Sequence, residues 1–381
     1  MSSITGPASV NVSAAELSWL LARHRVNPAA CDLFQAAARV AADDGAEERL
    51  RDAGFLNQDL GAALRAAVQT GFTLQARYAD LDALGRGLYF AGEGGAAGTG
   101  GLLVWQRPGG DYRLTYPADQ VELLRQTTGL LSPVEAAPPP LFEGIFTGPA
   151  LTALATVIDY LRTLYAASLL ERRGLPGLLI RREDLAAQLS AAKENRDYRS
   201  LVALWQALAP SLISADPAGL AAGIADLSQV GLLLPVEQGQ GGWSPAGELV
   251  GMAQNLLVPL GSLWLAGGGT DSAAPRQLIA VRGNSLWLGE LRGEAAESTA
   301  GVRLRAVDGL VLLTEIQGFF AAAILAAGQP KPEAAVSAPA AEPGKAASRE
   351  PGAAAPKRFC TACGAKLKPG RNFCTNCGAK L

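Results

Sequence analysis

A single histidine, His24, stands in 381 residues, and that scarcity removes most of the acid–base and metal chemistry that depends on imidazole. Cysteine is almost as rare outside the C-terminus. Of five cysteines only Cys31 lies in the first 359 residues, so there is no disulfide framework, and a reducing compartment is expected. Charge is sparse as well, at 18% of residues, with 33 Lys and Arg against 35 Asp and Glu. The near balance conceals an asymmetry. From Lys357 onward the chain carries six cations and no acid, which leaves 27 basic against 35 acidic side chains before it. A mildly acidic body is not drawn generally to phosphate backbones. The first residues, Met-Ser-Ser-Ile-Thr-Gly, have neither a basic start nor an apolar core, so no signal peptide is expected. The longest uncharged run, Leu249 to Thr270, is interrupted by Gln254, Asn255, Pro259 and several glycines, and makes a poor membrane span. No G-x-x-x-x-G-K-[ST] and no G-x-S-x-G occurs. What is abundant is apolar side chain, 49% of residues, enough for two cores. These features imply a soluble cytoplasmic protein.

The one place where spacing dictates a chemistry is the end of the chain. Cys360, Cys363, Cys374 and Cys377 form two Cys-x-x-Cys pairs separated by ten residues, each within the phrase Phe-Cys-Thr-x-Cys-Gly-Ala-Lys-Leu. Each pair turns two thiolates to one side of a tight knuckle. Two facing knuckles complete the closed tetrahedral sulfur set that a structural zinc ion prefers. Gly364 and Gly378 follow the second cysteine of each pair, where the chain must curl past the metal. A redox dithiol is the competing reading, but no βαβ pattern surrounds either pair. With four protein ligands the ion has no open position, so one structural and non-catalytic Zn²⁺ is expected. The phrase resembles the small bacterial zinc ribbons found at protein termini.

The remainder reads as α+β. Apolar positions recur at helical spacing from Ser13 to Val40, interrupted by Pro28, and again from Gly45 to Ala53, ending at Gly54. After a helix around Leu60 to Val68 the period changes. Gly71–Ala79, Gly87–Gly92, Leu102–Arg107 and Asp111–Tyr116 are short β-rich runs divided by Gly- or Pro-rich turns, an antiparallel meander closed by a helix over Gln120–Leu131. The second half repeats the order. Leu50–Leu56 matches Leu227–Leu233, Gly87–Gly92 matches Ser262–Gly267, Leu102–Arg107 matches Gln277–Arg282, and Glu122–Leu131 matches Val311–Phe320. This predicts a tandem duplication of a helical, partly winged-helix-like segment followed by a meander. The expected division is a first α+β repeat over 1–135, a connecting segment with a long helix over 136–182, and a second repeat over 183–327. A disordered Ala/Pro-rich linker over 328–357 and the zinc ribbon over 358–381 complete the chain.

Other candidates have ordinary explanations beside the sharp ones. Helices over Glu183–Ser190, Asp197–Ala209 and Pro217–Val230, followed by a hairpin around Trp243–Pro245, have the order of a winged helix. Yet Pro217–Val230 carries one Asp and no Lys or Arg, which a groove-reading helix needs. Arg172, Arg173, Arg181 and Arg182 form the only basic concentration of the body along the sequence, and read as a solvated helix end. The run Gly92–Gly101 leads into a strand, not a helix, and is a hairpin loop. His24 and Cys31 lie seven residues apart, but no third group orients a Cys–His dyad, and a half-buried helix residue beside a core cysteine is expected. Asp43, Asp44, Glu47, Glu48 and Asp226 fall on exposed helix faces. No catalytic residues are expected, and the protein is not expected to be an enzyme.

The favoured function is a non-enzymatic protein-interaction adaptor. In each half, helices, the Leu-x-x-x-Gly-Phe-Leu phrase at Leu50–Leu56 and a meander with a Gly-rich loop follow one another. That layout resembles the EspG family of type VII secretion-associated chaperones over roughly residues 13 to 325. The resemblance implies two quasi-symmetric α+β halves and a secreted helical protein as partner. It carries no binding residue across. The ribbon and the helix at Pro149–Arg173 depart from the family pattern. The alternative is a nucleic-acid-associated regulator in which Lys366, Lys368, Arg371 and Lys380 of the ribbon touch phosphates. Four thiolates and Zn²⁺ sum to a charge of about −2, however, so part of that positive charge balances the metal site.

Overall fold

The computed structural model describes residues 8–327, apart from 44, 57, 71–73, 80–83, 91–100, 173–177, 195–196, 211, 214–215, 237–240, 268–275 and 293–300. The chain divides into two compact units, Met1–Pro330 and Lys331–Leu381, and all described residues belong to the first. The linker predicted over 328–357 and the ribbon over 358–381, with all four paired cysteines, lie outside the described residues, as do Asp44, Arg173 and the loop from 92 to 100.

The first unit is built on one antiparallel sheet. The N-terminal half contributes β1 (Ala8–Val12), then helices α1 (Ala14–Arg23), α2 (Asp32–Ala38), α3 (Ala46–Asp52) and α4 (Gln58–Thr70). Its meander follows as β2 (Leu74–Ala79), β3 (Leu84–Phe90), β4 (Gly101–Gln106) and β5 (Tyr112–Ala118), closed by α5 (Gln120–Gly129). The C-terminal half opens with β6 (Glu143–Thr147) and α6 (Gly148–Glu171). Helices α7 (Arg182–Glu194), α8 (Leu201–Leu208) and α9 (Pro217–Gln229) follow, then a small hairpin, β7 (Leu233–Pro235) and β8 (Trp243–Pro245), and α10 (Gly247–Asn255). A second meander, β9 (Gly261–Gly267), β10 (Arg276–Arg282), β11 (Leu286–Arg292) and β12 (Gly301–Val307), ends in α11 (Gly309–Ala327).

The order across the ten strands is β1-β5-β4-β3-β2-β9-β10-β11-β12-β6. It reads the same from either end. The first strands of the two meanders, β2 and β9, pair antiparallel at the centre, with Ala76 opposite Leu265, and each half's leading strand, β1 or β6, is added at the outer edge. Two sequence matches are corrected by this order. β3, which holds Gly87, occupies the place of β10 and not of β9, and β4 that of β11 and not of β10. Short, continuously apolar strands bounded by glycine look alike in sequence, so a match displaced by one whole strand fits equally well. The other two matches fall at the same place in each half. After α3 and after α9 the chain turns through Gly54 (φ 69°) and Gly231 (φ 77°), a left-handed conformation that favours glycine. The amides of Phe55 and Leu232 reach back to the carbonyls of Leu50 and Leu227, each at 2.9 Å, the six-to-one bond of a Schellman cap.

Both faces of the sheet are covered, which is why strands such as β4 and β9 are buried almost continuously instead of alternating. On one face α5 and α11 lie together. Leu123, Leu312, Ile316, Phe319 and Phe320 cover Leu74, Leu103, Leu265, Leu278 and Leu288 from both meanders. On the other face each half has its own core. Leu17, Leu20, Phe34, Leu50 and Leu64 pack on Phe90, Val104 and Leu114, while the α6–α10 group packs on Trp264, Ile279, Val281 and Trp287.

The predicted connecting segment supplies an edge strand and the centre of this second core. α6 begins at Thr147, whose hydroxyl accepts from the Ala150 amide at 3.2 Å, with Pro149 in the first turn. Its Thr152 and Thr156 hydroxyls donate to carbonyls one turn back, so both stay satisfied although fully buried. Among the described residues α6 alone is long and apolar enough to cross a membrane, and 56% of its most apolar window is buried inside the body. Its apolar surface is therefore used by α7–α10.

Candidate functional site

The winged-helix order is realised in the second half. α7, α8 and α9 lead into the β7–β8 hairpin, and paired backbone bonds of 2.8 and 2.9 Å between Ile180 and Trp243 add a third short strand segment. α9 is seated hard against α6: a Cβ on Gly223 would meet the Pro149 carbonyl oxygen at 2.0 Å. Its exposed positions are Pro217, Ala218, Ala222, Ala225 and Gln229, a face with one side chain able to reach a base edge and no cation for a phosphate. Asp226 accepts from the Thr147 hydroxyl at 2.8 Å and so ties α9 to the start of α6. Arg172, Arg181 and Arg182 are exposed, Arg172 as the left-handed residue that ends α6.

His24 and Cys31 occupy the ordinary positions. His24 is half-buried at the end of α1 with its ring over Gly61, and burial, then Arg65 and Arg23, hold its pKa down. Cys31 is buried in the first core, and burial pushes its thiol up. A thiolate–imidazolium pair needs both shifts reversed. Asp43 and Glu47 belong to a surface network instead. Arg49 bonds Glu16 at 2.7 Å and also pairs with Asp43, while Arg51 and Arg23 hold Glu47 at 2.7 and 3.2 Å. Glu48 is exposed.

Among the described residues no group of three or more His, Cys, Asp or Glu side chains is placed to hold a metal ion. The donor set that fits a metal is in the tail. Cys360, Cys363, Cys374 and Cys377 offer four soft thiolates and no oxygen, a set that selects zinc or an iron–sulfur cluster over hard cations. Residues 359–381 match the family model of a zinc-ribbon domain. The ribbon contains all four cysteines, and nothing in its donor set conflicts with zinc. No curated protein matches the chain. Among solved structures, the Mycobacterium tuberculosis type VII secretion system chaperone EspG5 in complex with the PE25–PPE41 dimer is similar at 11% identity. That similarity covers 81% of this chain and 94% of that one, with a TM-score of 0.42. Both resemblances read from the sequence, the zinc ribbon and the EspG-like body, have a counterpart in these comparisons.

Two groups escaped the sequence reading. Asp159 on α6 is 3% exposed and accepts from four donors: Arg162 Nη1 at 2.7 Å, Ser200 Oγ at 2.6 Å, and the amides of Leu201 and Val202 at 2.9 and 3.1 Å. It caps α8, while Arg162 Nε donates to the Leu257 carbonyl at 3.0 Å beyond α10. An aspartate on an apolar helix gives no sign in sequence of which amides it will meet. The second group is a set of arginines. The densest basic run along the body's sequence is Arg172–Arg182, but the sheet gathers Arg77, Arg86 and Arg107, distant in sequence, around one cavity. Sequence proximity is a poor guide where neighbouring strands do the gathering.

Proposed function

We propose that the protein is a cytoplasmic, non-enzymatic interaction adaptor of chaperone-like character, whose body holds a helical protein partner. In this reading Cys360, Cys363, Cys374 and Cys377 bind one structural Zn²⁺ in the ribbon. The metal supplies folding energy to the tail and no open position for chemistry. The body is read as a tandem duplication. The palindromic strand order and the paired Schellman caps at Gly54 and Gly231 support that reading.

The observation that carries the adaptor reading is apolar side chain left in solvent at a sheet edge. β6 is one of the two outermost strands, Ile145 on its outward row is 63% exposed, and Leu141 just before it is fully exposed. Apolar residues at an open edge are a liability that a free-standing protein avoids, and a partner's apolar helix face would remove it. The secreted helical character of that partner follows from the EspG-like layout of the sequence.

The test is co-purification of the full chain and of a Leu141→Glu, Ile145→Glu double variant from their native cytoplasm. One helical protein recovered with the first and lost with the second is the expected result. Heparin retention that falls steeply as salt is raised through about 150 mM would favour the nucleic-acid reading instead.

A further inference from the structure

Arg77 on β2 and Arg86 on β3 are direct cross-strand partners, so their side chains leave the same face of the sheet. Gln106 on β4 is opposite Arg86 in turn, and accepts from its Nη2 at 3.1 Å. Arg107 follows on the β4–β5 turn, where Gly109 (φ 100°) and Gly110 (φ 94°) leave no side chain in the way. These groups line an open cavity of about 440 Å³, closed on one side by Ala207 at the end of α8.

Like charges set directly opposite on adjacent strands destabilise a sheet. Among the described residues no carboxylate forms an ion pair with Arg77, Arg86 or Arg107. Asp32, at the start of α2, is the carboxylate whose field reaches Arg77, and it only partly offsets the burial and the Arg86 charge that lower the Arg77 pKa. Arg77 is held in place regardless. Its Nη1 donates to the Leu208 carbonyl at 3.1 Å and its guanidinium lies 4.9 Å from the centre of the Trp264 ring. A fixed fork, a neighbour with no ion pair among the described residues and a third cation at the mouth form a standing field of about three charges less one.

We propose that this cavity is an anion site for a phosphate-bearing small molecule. Guanidinium forks match the oxygens of a phosphate in pairs, and three of them suit a group carrying two or more negative charges. The volume is that of a small-molecule site. An acidic polypeptide would call for a stripe of cations along the surface, whereas these three converge on one hollow. The site is independent of the adaptor reading and of the zinc.

The test is calorimetric titration of the full-length protein with inorganic phosphate, inorganic diphosphate and adenosine diphosphate at constant ionic strength. It is repeated with Arg86→Gln and Arg107→Gln, and a deca-glutamate peptide serves as the rival ligand. Saturable binding of at least one phosphate compound is expected, weakened about tenfold or more by each variant, because a charge-assisted contact is lost. Tighter binding of adenosine diphosphate than of diphosphate would assign a phosphate ester as the source, and equal binding the free anion. The exposed Arg107 guards against a folding artefact, since its replacement disturbs no buried contact. No saturable heat up to about 10 mM, or unchanged affinity in both variants, would overturn the proposal. Loss of deca-glutamate binding in the variants with diphosphate binding intact would do the same.

Discussion

Single side chains in this protein decide how helices are held to one another, and Asp159 is the clearest case. Burial pushes its carboxyl up, while Arg162, Ser200 and two amides of α8 oppose that shift and keep the charge satisfied. Removing the charge leaves Arg162, itself buried, without its counter-ion. Asp159→Asn is therefore expected to cost about 3–5 kcal/mol, read as a lower urea midpoint at unchanged slope. An Asp159→Leu, Arg162→Met pair should recover only the part due to the stranded charge, because the Ser200 hydroxyl and the Leu201 and Val202 amides still lack their acceptor. A second residue sets a pH limit. Arg125 bonds both oxygens of Glu122, at 2.7 and 2.8 Å, and holds its carboxyl below the usual range, with Gln126 assisting. Burial alone would raise Glu16, but the Ser13 amide and Arg49 carry it below its usual value as well. A group whose folded pKa is depressed contributes stability above its unfolded value, and that contribution is lost as pH falls through the folded value. Thermal unfolding should therefore show stability declining below about pH 4.5, and Glu122→Gln should flatten part of that slope without shifting the neutral plateau much further than the lost ion pair requires.

At the scale of elements, the two helix ends at Gly54 and Gly231 carry one device twice. Each needs a positive φ and closes the same six-to-one bond. Replacing either glycine with alanine forces a Cβ into the left-handed region, at a cost of about 1–2 kcal/mol. Nothing lies within 4 Å of where either Cβ would sit, so the loss should come from backbone strain and be nearly the same at both sites. Unequal losses in matched denaturation curves would mean that the two ends differ in more than their shared bond. This device was legible in the sequence because Leu-x-x-x-Gly-Phe-Leu places glycine where a left-handed residue must end the helix, a conformation glycine adopts at least cost. The meanders were legible too, from their turns. The edge strands β1 and β6 were not: each is five residues long and Glu-Gly-Ile-Phe-Thr has no strand-length alternation to mark it. The cross-strand arginines were equally hidden, because Arg77 meets Arg86 only once the register of β2 and β3 is fixed. Helix content and turn chemistry are local properties, whereas edge pairing and charge gathering are set by which strand lies next to which.

For the whole molecule the question is whether metal and body stability are linked. The two compact units are Met1–Pro330 and Lys331–Leu381, and every cysteine of the tail falls in the second. The first unit buries its own cores around both sheet faces. Structural zinc contributes on the order of 10 kcal/mol to a small four-thiolate site, more than so short a segment gains from its apolar contacts. Chelation should therefore unfold the ribbon alone. The expected result is one equivalent of zinc released per chain, rapid proteolysis after Lys357, and an unfolding midpoint of the body that stays where it was. Cys363→Ser should reproduce the apo behaviour without chelator, since three thiolates leave an open position that water or buffer fills at much lower affinity. A body midpoint that drops together with zinc release would instead make the metal part of the body's core stability. The ribbon would then have to be treated as a structural element of the body and not as a separate domain.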